Sequence, residues 1–585
     1  MSAYYKVAAK NLLEKNLSEL LYEEALSSQQ QHDRQRIELQ SGHVYTFVGQ
    51  YSIWGHWIIE AGSVRRDNCQ AQCPLQLLVD AQNELELNDS VLANLMEEMG
   101  NSLVSDVELL QNRASLSASA ITKLNFNDQQ MYFEGHPKAI ANKGRMGWGM
   151  MEHQKYAPEH SPNIQLRWLA TQSEFLQVGY QEEWTPITLL QESLSPENIK
   201  TIYEKLPDRD GEWHFIPVHP WQWEHKIQTL FARELADGVL VDLGQMGDFF
   251  QPQQSLRTLA NRVASGRLDI KLPITVLNTS CFRGIPARYI RIGAELSAWL
   301  KELCAKDIEL TNTHILQEVA GVHLPQSLYQ QVAGAPYRYH ELLGAIWREP
   351  VQNYLGTSQQ AVMLGALWQT DNEGQPLLAT WLTESGLNLN EWLSDLFKYM
   401  VVPLYHLLCR HGVGLVAHGQ NITLVLEAGR VVGLALKDFQ GDLRLDERVY
   451  DSHHKLSKDA IDALDRLPAE YLIHDLQTGN FVTALRFLSA LCLREFGFCE
   501  SMFYGLLAAE VRAYQTRNSH AVDQHERYDL FTPKVAKLCI NRVRLVQGYD
   551  DSAQRPIPIR GSDVDNPLFL AEKSASLNAV QENVA

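Results

Sequence analysis

Polar side chains flank a predicted β-hairpin in the C-terminal half of the chain. The stretch VAHGQNITLVLEAGRVVGLALKDFQGDLRL begins at Val416 and contains two apolar, strand-like runs around the turn EAGR. His418 and Asn421 precede the first run, and Asp438 follows the second. Since a hairpin brings the start of its first strand beside the end of its second, Asn421 and Asp438 are expected to lie close together. Amide and carboxylate oxygens bind Mg²⁺, and Mg²⁺ bridges phosphate oxygens, so the spacing indicates a metal and phosphate site.

Two other interpretations of the hairpin stay open from the residues alone. Asn and Asp are common turn and cap residues at strand ends. The order of Asn421, hairpin and Asp438-Phe439 is also similar to that of protein kinases, which place an Asn before a hairpin and an Asp after it on their metal ions. A kinase needs a catalytic Asp close to that Asn, and the segment HGQN has none.

A basic segment interrupts an otherwise acidic chain. The formal net charge of the 585 residues is −19, which disfavours binding to nucleic acid or to an anionic membrane. Between residues 257 and 291 seven cations accompany one acid, Asp269. The cations are Arg257, Arg262, Arg267, Lys271, Arg283, Arg288 and Arg291. Guanidinium groups bind phosphate and carboxylate through a planar fork, and the nearby hydroxyls of Ser255 and Thr258 favour a binding site over a solvated basic surface.

Other motifs carry weaker signals. GHPKAIANKGRMGWG, residues 135–149, combines glycines with His136 and Lys143, which suggests a phosphate-facing loop, although a glycine-rich turn with a solvated lysine is the commoner case. The patterns GxxxxGK[ST] and GxSxG are absent from the sequence, so neither a P-loop ATPase nor a serine hydrolase is supported. The Trp-rich segment VHPWQWEH, residues 218–225, is expected to be structural, since its two histidines lack a third zinc ligand.

The overall composition is that of a folded protein. It is 45% hydrophobic and 21% charged, and its length predicts two or three domains. The scattered cysteines, the amphipathic first helix and the lack of an apolar run of bilayer-spanning length predict a cytoplasmic protein. Strand signals dominate residues 253–293, and helical patterns dominate residues 387–412 and 458–549.

Long motifs in one order over nearly the whole chain resemble the siderophore synthetases that work without a nonribosomal peptide template. They include HPWQW, QQSLRTL, DIKLPITVLNTSCFRGIP, AHGQN, LKDFQGD and YLIHDLQTG. The resemblance implies a mixed α/β fold shaped like a hand: a mostly helical thumb at 1–160, fingers with a mixed sheet at 161–395, and a palm with the hairpin and C-terminal helices at 396–585. It implies a homodimer with ATP and Mg²⁺ between fingers and palm.

The resemblance also implies roles for single residues. The residues implied to bind ATP are His136, Lys143, Ser255, Arg257, Thr258, Lys271, Arg283, Asn421 and Asp438. Asn421 and Asp438 are implied to bind Mg²⁺, while His418 and Arg283 are implied to act on the substrate carboxylate. Val416 stands where some relatives that use free citrate carry an acidic residue, which fits the subgroup acting on derivatised citrate or succinyl-hydroxamate substrates.

The activity implied by the resemblance is that of an ATP-dependent carboxylate–amine ligase, which forms an acyl-adenylate, releases pyrophosphate and joins the acyl group to an amine. One substrate assignment is a citrate derivative with the hydroxamate amine N-acetyl-N-hydroxylysine. A second is the joining and macrocyclisation of succinylated hydroxy-diamines. A kinase-like phosphotransferase and a non-catalytic ligand-binding protein are alternatives of other classes.

Overall fold

The architecture was obtained from a computed structural model that describes residues 2–208, 210–279, 281–549, 551–554 and 557–582. Helices account for 46% and strands for 22% of the protein, which confirms the predicted mixed α/β class. Three sheets among the described residues have four or more strands: a five-stranded sheet near the N-terminus, an eight-stranded sheet, and a four-stranded sheet that contains the hairpin. No helix among the described residues combines the length and the apolar character that crossing a bilayer requires.

The N-terminal region packs a long helix against short strands. Helix Ser2–Tyr22 buries Leu13, Leu17 and Leu20, as its apolar stripe predicts, and it packs along helix Asp89–Arg113. The region also contains short strands and short helices. These are Gln29–Gln31, Arg34–Glu38, Val44–Phe47, Gly49–Tyr51, Trp57–Ile59, Arg65–Arg66, Cys69–Gln70, Pro74–Asp80, Ala118–Thr122, Phe126–Gln129 and Met150–Tyr156.

The larger sheet has eight strands joined by antiparallel pairing. In spatial order these are Trp213–Val218, Ile164–Gln172, Leu240–Pro252, Thr258–Asn261, Asp269–Lys271, Gly344–Arg348, Glu318–His323 and Gln177–Tyr180. Helix Ile290–Lys306 lies against one end of this sheet. Gly179 permits that contact, since a Cβ there would lie 2.2 Å from the backbone oxygen of Ile290. The strand signals predicted for residues 253–293 are confirmed up to Arg283, although Pro273 separates Asp269–Lys271 from Ile274–Asn278. They are wrong after Arg283, where the turn Ala287–Tyr289 leads into helix Ile290–Lys306.

The second sheet contains the predicted hairpin. Strands Ile422–Glu427 and Arg430–Leu436 pair antiparallel, and the sheet is completed by Thr313–Ile315 and Gln359–Met363. The turn residues Ala428 and Gly429 have φ of 47° and 73°, as a tight two-residue turn between twisted strands requires. The strand–turn–strand prediction is therefore confirmed.

Helices enclose the hairpin sheet in a large aromatic core. Those around it are Leu377–Ser385, Leu389–Leu396, Val402–His411, Arg486–Phe496 and Glu500–Arg517. Trp381, Trp392 and Tyr405 are fully buried there. The helical prediction for residues 458–549 is wrong at Lys534–Cys539, which alternates buried and less buried positions and pairs with strand Ile559–Asp565. The predicted boundaries at 160 and 395 stay predictions.

A buried ion pair attaches the first helix to the C-terminal helices. The Arg486 guanidinium donates to both carboxylate oxygens of Glu19 at 2.7 and 2.9 Å, and it lies 4.2 Å from the ring centre of Tyr22. Arg486 is 0% and Glu19 2% exposed. Neither group can regain water when its partner is removed, so the pair is far more costly to break than a surface ion pair.

We expect Arg486→Met to destabilise the protein by about 3–5 kcal/mol, because it leaves the Glu19 carboxylate buried without its partner. The double variant Glu19→Leu with Arg486→Met should recover most of the loss, since it removes both charges. Thermal unfolding midpoints of the three proteins measure both effects. A double variant as unstable as the single one would contradict this account.

Candidate active site

The hairpin ladder places Asn421 and Asp438 at the same end, as predicted. Its last register pair is Ile422 with Leu436, so both residues lie just beyond it. The Asn421 amide nitrogen donates to the Val416 carbonyl at 3.2 Å and to Asp442 Oδ2 at 2.9 Å. These two hydrogen bonds fix the plane of the Asn421 amide. They use only its nitrogen, so the side-chain oxygen is available as an acceptor or a metal ligand.

Asp438 is held by two cations of the larger sheet. Lys271 Nζ lies 2.6 Å from its Oδ1, and Arg348 Nη1 lies 3.3 Å from the same oxygen. Burial alone raises the pKa of Asp438, but Lys271 and Arg348 outweigh burial and hold that pKa well below its usual range. Its φ of 64° is left-handed, a conformation that costs a non-glycine residue about 1–3 kcal/mol and that is found most often at functional sites.

These groups border a cavity of about 1260 Å³ between the two sheets. The predicted site residues that line it are His136, Lys143, Ser255, Arg257, Lys271, Arg283, His418, Asn421 and Asp438. Thr258 does not line it: the residue is buried in the strand beside Lys271, and its backbone N–H donates to Ser255 Oγ at 3.1 Å. The roles implied for all of these residues stay predictions.

The basic segment divides between the cavity and the surface. Four of its cations line the cavity: Arg257, Lys271, Arg283 and Arg288. Arg262 instead donates to the Ser161 carbonyl at 2.7 Å, Arg267 pairs with Asp248, and Arg291 is exposed. The cluster is therefore a binding surface in part and a solvated surface in part. Arg262 and Arg267 lie in the connection between strands Thr258–Asn261 and Asp269–Lys271, and Arg291 lies on helix Ile290–Lys306.

The cavity arginines are oriented by backbone carbonyls. Arg257 donates to the carbonyl of Gly284, and Arg283 donates to the carbonyl of Asn278 at 2.9 Å and to the hydroxyl of Thr279. Thr279 lies in the tight connection between strands Ile274–Asn278 and Cys281–Arg283, with φ of 60°. Anchoring of this kind reduces the freedom that each side chain loses when it binds an anion.

Two histidines of the cavity share one hydrogen-bond arrangement. His136 Nδ1 accepts the backbone N–H of Lys138, and His418 Nδ1 accepts that of Gln420, both at 3.2 Å. Burial lowers the pKa of each imidazole, so both rings are neutral near pH 7. With Nδ1 accepting, the ring proton lies on Nε2, which makes each ring a hydrogen-bond donor at that atom.

Lys143 is already engaged within the protein. Its ammonium lies 2.9 Å from Glu159 Oε1, which also accepts Arg145 Nη2 at 2.8 Å. Lys143 is 2% exposed. The glycine-rich segment is thus anchored from inside, and contact of Lys143 with a phosphate stays a prediction.

Comparison with known proteins decides the family. A family model described as IucA / IucC family matches residues 125–369, and one described as ferric iron reductase FhuF-like transporter matches residues 390–553. The aerobactin synthase of Escherichia coli is 39% identical over 567 residues, covering 96% of this chain and 97% of that protein. The chain belongs to the IucA/IucC family.

Structural and more distant relatives agree with this assignment. A structure of aerobactin synthetase IucC from Klebsiella pneumoniae has a TM-score of 0.87 and 36% identity, and the match covers 98% of this chain and 99% of that one. Putrebactin synthase of Shewanella sp. (strain MR-4) is 28% identical over 98% of this chain and 93% of its own. The predicted siderophore synthetase family and its mixed α/β fold are confirmed, and the hand-like subdivision stays a prediction.

Two polar residues next to the site, Arg348 and Asp442, were not predicted from the sequence of this IucA/IucC family member. Arg348 is 2% exposed and joins Asp438 to Asp269, the latter at 3.2 Å. The feature of the sequence that could have indicated Arg348 is its place as the charged last residue of the apolar strand Gly344–Arg348. Asp442 binds the Asn421 amide, and its signal was a second acid four residues after Asp438.

The donor set at the hairpin fits Mg²⁺. Asp438, Asp442 and the Asn421 oxygen are hard oxygen donors of the kind that Mg²⁺ prefers. Val416 contributes its carbonyl to Asn421 rather than an acidic side chain. The segment HPWQW is structural as expected, since Trp221 and Trp223 are buried and His219 Nδ1 accepts the N–H of Trp221.

Lys437 provides a test of the electrostatics behind the cavity. It is 6% exposed, and burial together with nearby Arg348 lowers its pKa to about 8. An unfolded chain keeps this proton up to a pH of about 10.4. Between pH 8 and 10.4 the unfolded state therefore binds more protons, and this residue makes stability increase with pH.

We expect Lys437→Met to remove that increase, which amounts to about 3 kcal/mol over the interval. Urea unfolding at pH 7, 8, 9 and 10 compares the variant with the wild type. Substitution of the exposed Lys200 by Met serves as the control and should leave the pH dependence unchanged. Parallel pH profiles for wild type and Lys437→Met would refute the assignment.

Proposed function

We propose that this protein is an ATP-dependent ligase that adenylates a carboxylate of a citrate derivative and joins it to N-acetyl-N-hydroxylysine, completing aerobactin. The observation that carries the proposal is the convergence of Arg257, Lys271 and Arg283 with Asn421 and Asp438 on one cavity. Lys271 lies on the eight-stranded sheet and Arg283 on the separate strand pair Ile274–Asn278 and Cys281–Arg283. Arg257 immediately precedes strand Thr258–Asn261, and Asn421 and Asp438 flank the hairpin. The 39% identity to an aerobactin synthase over nearly the whole chain supports the choice of product.

The chemistry explains why so many cations are needed. Adenylation requires attack of a carboxylate on the α-phosphate of ATP, and these two anions repel each other. Ser255, Arg257 and Lys271 are proposed to bind the phosphates, and Arg283 to bind both a phosphate and the substrate carboxylate. Fixed positive groups in a partly enclosed site lower the repulsion and need no reorganisation during the reaction.

Asn421, Asp438 and Asp442 would hold Mg²⁺, which when bound neutralises phosphate charge. His418, neutral and protonated on Nε2, is proposed to donate to the substrate carboxylate and orient it. His136 offers the same kind of donor from the glycine-rich segment, residues 135–149. A neutral donor orients a carboxylate without forming an ion pair that the reaction must later break.

Val416 keeps a second substrate assignment open. The absence of an acid at Val416 fits a derivatised citrate, but it also fits succinyl-hydroxamate substrates. The 28% identity to a putrebactin synthase is compatible with the joining and macrocyclisation of such substrates. The higher identity to an aerobactin synthase favours the first assignment. We further propose that the protein acts as a homodimer in the cytoplasm, where its eight free cysteines would stay reduced.

A pyrophosphate-release assay tests the reaction class. With ATP, Mg²⁺, a citryl-monohydroxamate and N-acetyl-N-hydroxylysine, we expect pyrophosphate and a product mass equal to the sum of both substrates less one water. Succinyl-hydroxamates should give little release. A macrocyclic product from them would select the second assignment, and ADP in place of pyrophosphate would exclude adenylation.

Two arginines of the basic segment form a matched pair of variants. Arg283→Lys keeps the charge but removes the planar fork, so we expect kcat/KM to fall about 100-fold or more. Arg267→Lys changes a residue of the same segment that pairs with Asp248 away from the cavity, and should keep kcat/KM within about twofold. Steady-state pyrophosphate release measures both. Full activity in Arg283→Lys would remove this residue from the mechanism.

A further inference from the structure

A buried carboxylate beneath the cavity floor has no assigned role. Glu318 begins strand Glu318–His323, is 1% exposed and does not line the cavity. Among the described residues, neither of its carboxylate oxygens has a hydrogen-bond partner. Burial raises its pKa to about 7. A buried carboxyl group without hydrogen-bond partners lowers the stability of the folded protein. A purely structural role therefore does not explain the presence of Glu318.

The sheet register places Glu318 beside the cations that hold Asp438. Glu318 lies directly across from Arg348, which lies directly across from Asp269 on the next strand. Lys271 is two residues after Asp269 and therefore points to the same face of the sheet. Among the charged groups that act on Glu318, Lys271 has the largest effect, and it lowers the pKa of that carboxyl.

Gln440 closes this space from the hairpin side. Its side chain is positioned by Gly293, where a Cβ would lie 2.2 Å from the Gln440 amide nitrogen. The Gln440 amide lies close enough to Glu318 to lower the pKa of that carboxyl, while the Gln440 oxygen has no hydrogen-bond partner among the described residues. The positive charge of Lys271, a group with three donors, also lowers the pKa of Glu318.

The Oδ1 of Asp438 already accepts two cations, Lys271 and Arg348. If Asp438 holds Mg²⁺, as proposed above, a divalent ion is added beside them. The ammonium of Lys271 must then leave that oxygen, since the added charge repels it. A lysine released in this way needs another anion, or it would sit unpaired in a largely buried position.

We propose that Glu318 is a positioning residue that receives the ammonium of Lys271 when Asp438 is taken by the metal of ATP·Mg²⁺. Lys271 then stays at the cavity floor, directed at the phosphates, instead of competing with the metal for Asp438. The proposal rests on the proposed function, and it concerns how the protein changes between its free and nucleotide-bound states.

Calorimetric titration of the full-length protein provides the test. The dissociation constant of ATP is measured once with Mg²⁺ and once with EDTA, for wild type and for Glu318→Gln. We expect Glu318→Gln to weaken ATP·Mg²⁺ binding by at least about tenfold, because a charged acceptor becomes a neutral one. Binding of ATP in EDTA should stay within about twofold, since Asp438 then keeps Lys271.

A double-variant cycle shows whether the effect passes through Lys271. In a Lys271→Ala background, Glu318→Gln should cause no further loss of ATP·Mg²⁺ affinity. Glu500→Gln removes another buried carboxylate, which accepts from Ser52 and Ser489 far from the cavity. It should lower the unfolding temperature without altering either dissociation constant.

The outcomes separate this inference from the proposed function. A wild-type protein that binds no ATP would overturn the proposed function itself. Wild-type binding that depends on Mg²⁺, with Glu318→Gln indistinguishable from it, would overturn the role of Glu318 alone. If Glu318→Gln weakens ATP·Mg²⁺ binding as much in the Lys271→Ala background as in the wild type, the role of Glu318 is also overturned. If Glu318→Gln fails to fold, Glu318→Asp keeps the charge on a shorter arm and should show a smaller loss confined to the Mg²⁺ titration.

Discussion

The carboxylate of Asp438 joins the eight-stranded sheet to the four-stranded sheet that contains the hairpin. Lys271 and Arg348 reach it from adjacent strands of the eight-stranded sheet, while Asp438 itself follows the hairpin of the other sheet. Burial favours the uncharged acid, and the positive charges of Lys271, Arg348 and Lys437 outweigh it and keep the carboxylate ionised. The contact that packs one sheet against the other is thus the same contact that borders the cavity. Whatever alters the charge on Asp438 alters both the packing and the site.

This arrangement gives an acidic protein a local affinity for anions. The chain carries a net charge of −19, yet Arg257, Arg283 and Arg288 line a single cavity with Lys271. Acidic surface elsewhere repels polyanions such as nucleic acid, whereas a small anion can enter a concave basic site. The cations are usable because backbone carbonyls and Asp438, rather than dense surface ion pairs, hold them in place.

Local patterns in the sequence were enough to predict the hairpin and the position of Asn421 relative to Asp438, because strand pairing across a short turn fixes which residues meet. The family motifs predicted that His136 and Arg283 belong to the same site, and both line the cavity. Arg348, Asp442 and Glu318 were harder to assign, since their partners lie on strands or loops distant in sequence. Pairing of Lys143 with Glu159, and the outward direction of Arg262, depend on side-chain packing that no spacing rule describes.

The ion pair between Glu19 and Arg486 has a consequence for synthesis of the protein. The two residues are separated by 467 positions, so the first helix leaves the ribosome long before its partner exists. At about 5–20 residues per second, the wait is roughly 20–90 s. The apolar stripe of Leu13, Leu17 and Leu20 need not wait, since its buried neighbours come almost entirely from the first 140 residues. The Glu19 carboxylate on the same helix, however, stays without the guanidinium of Arg486 until translation is nearly complete.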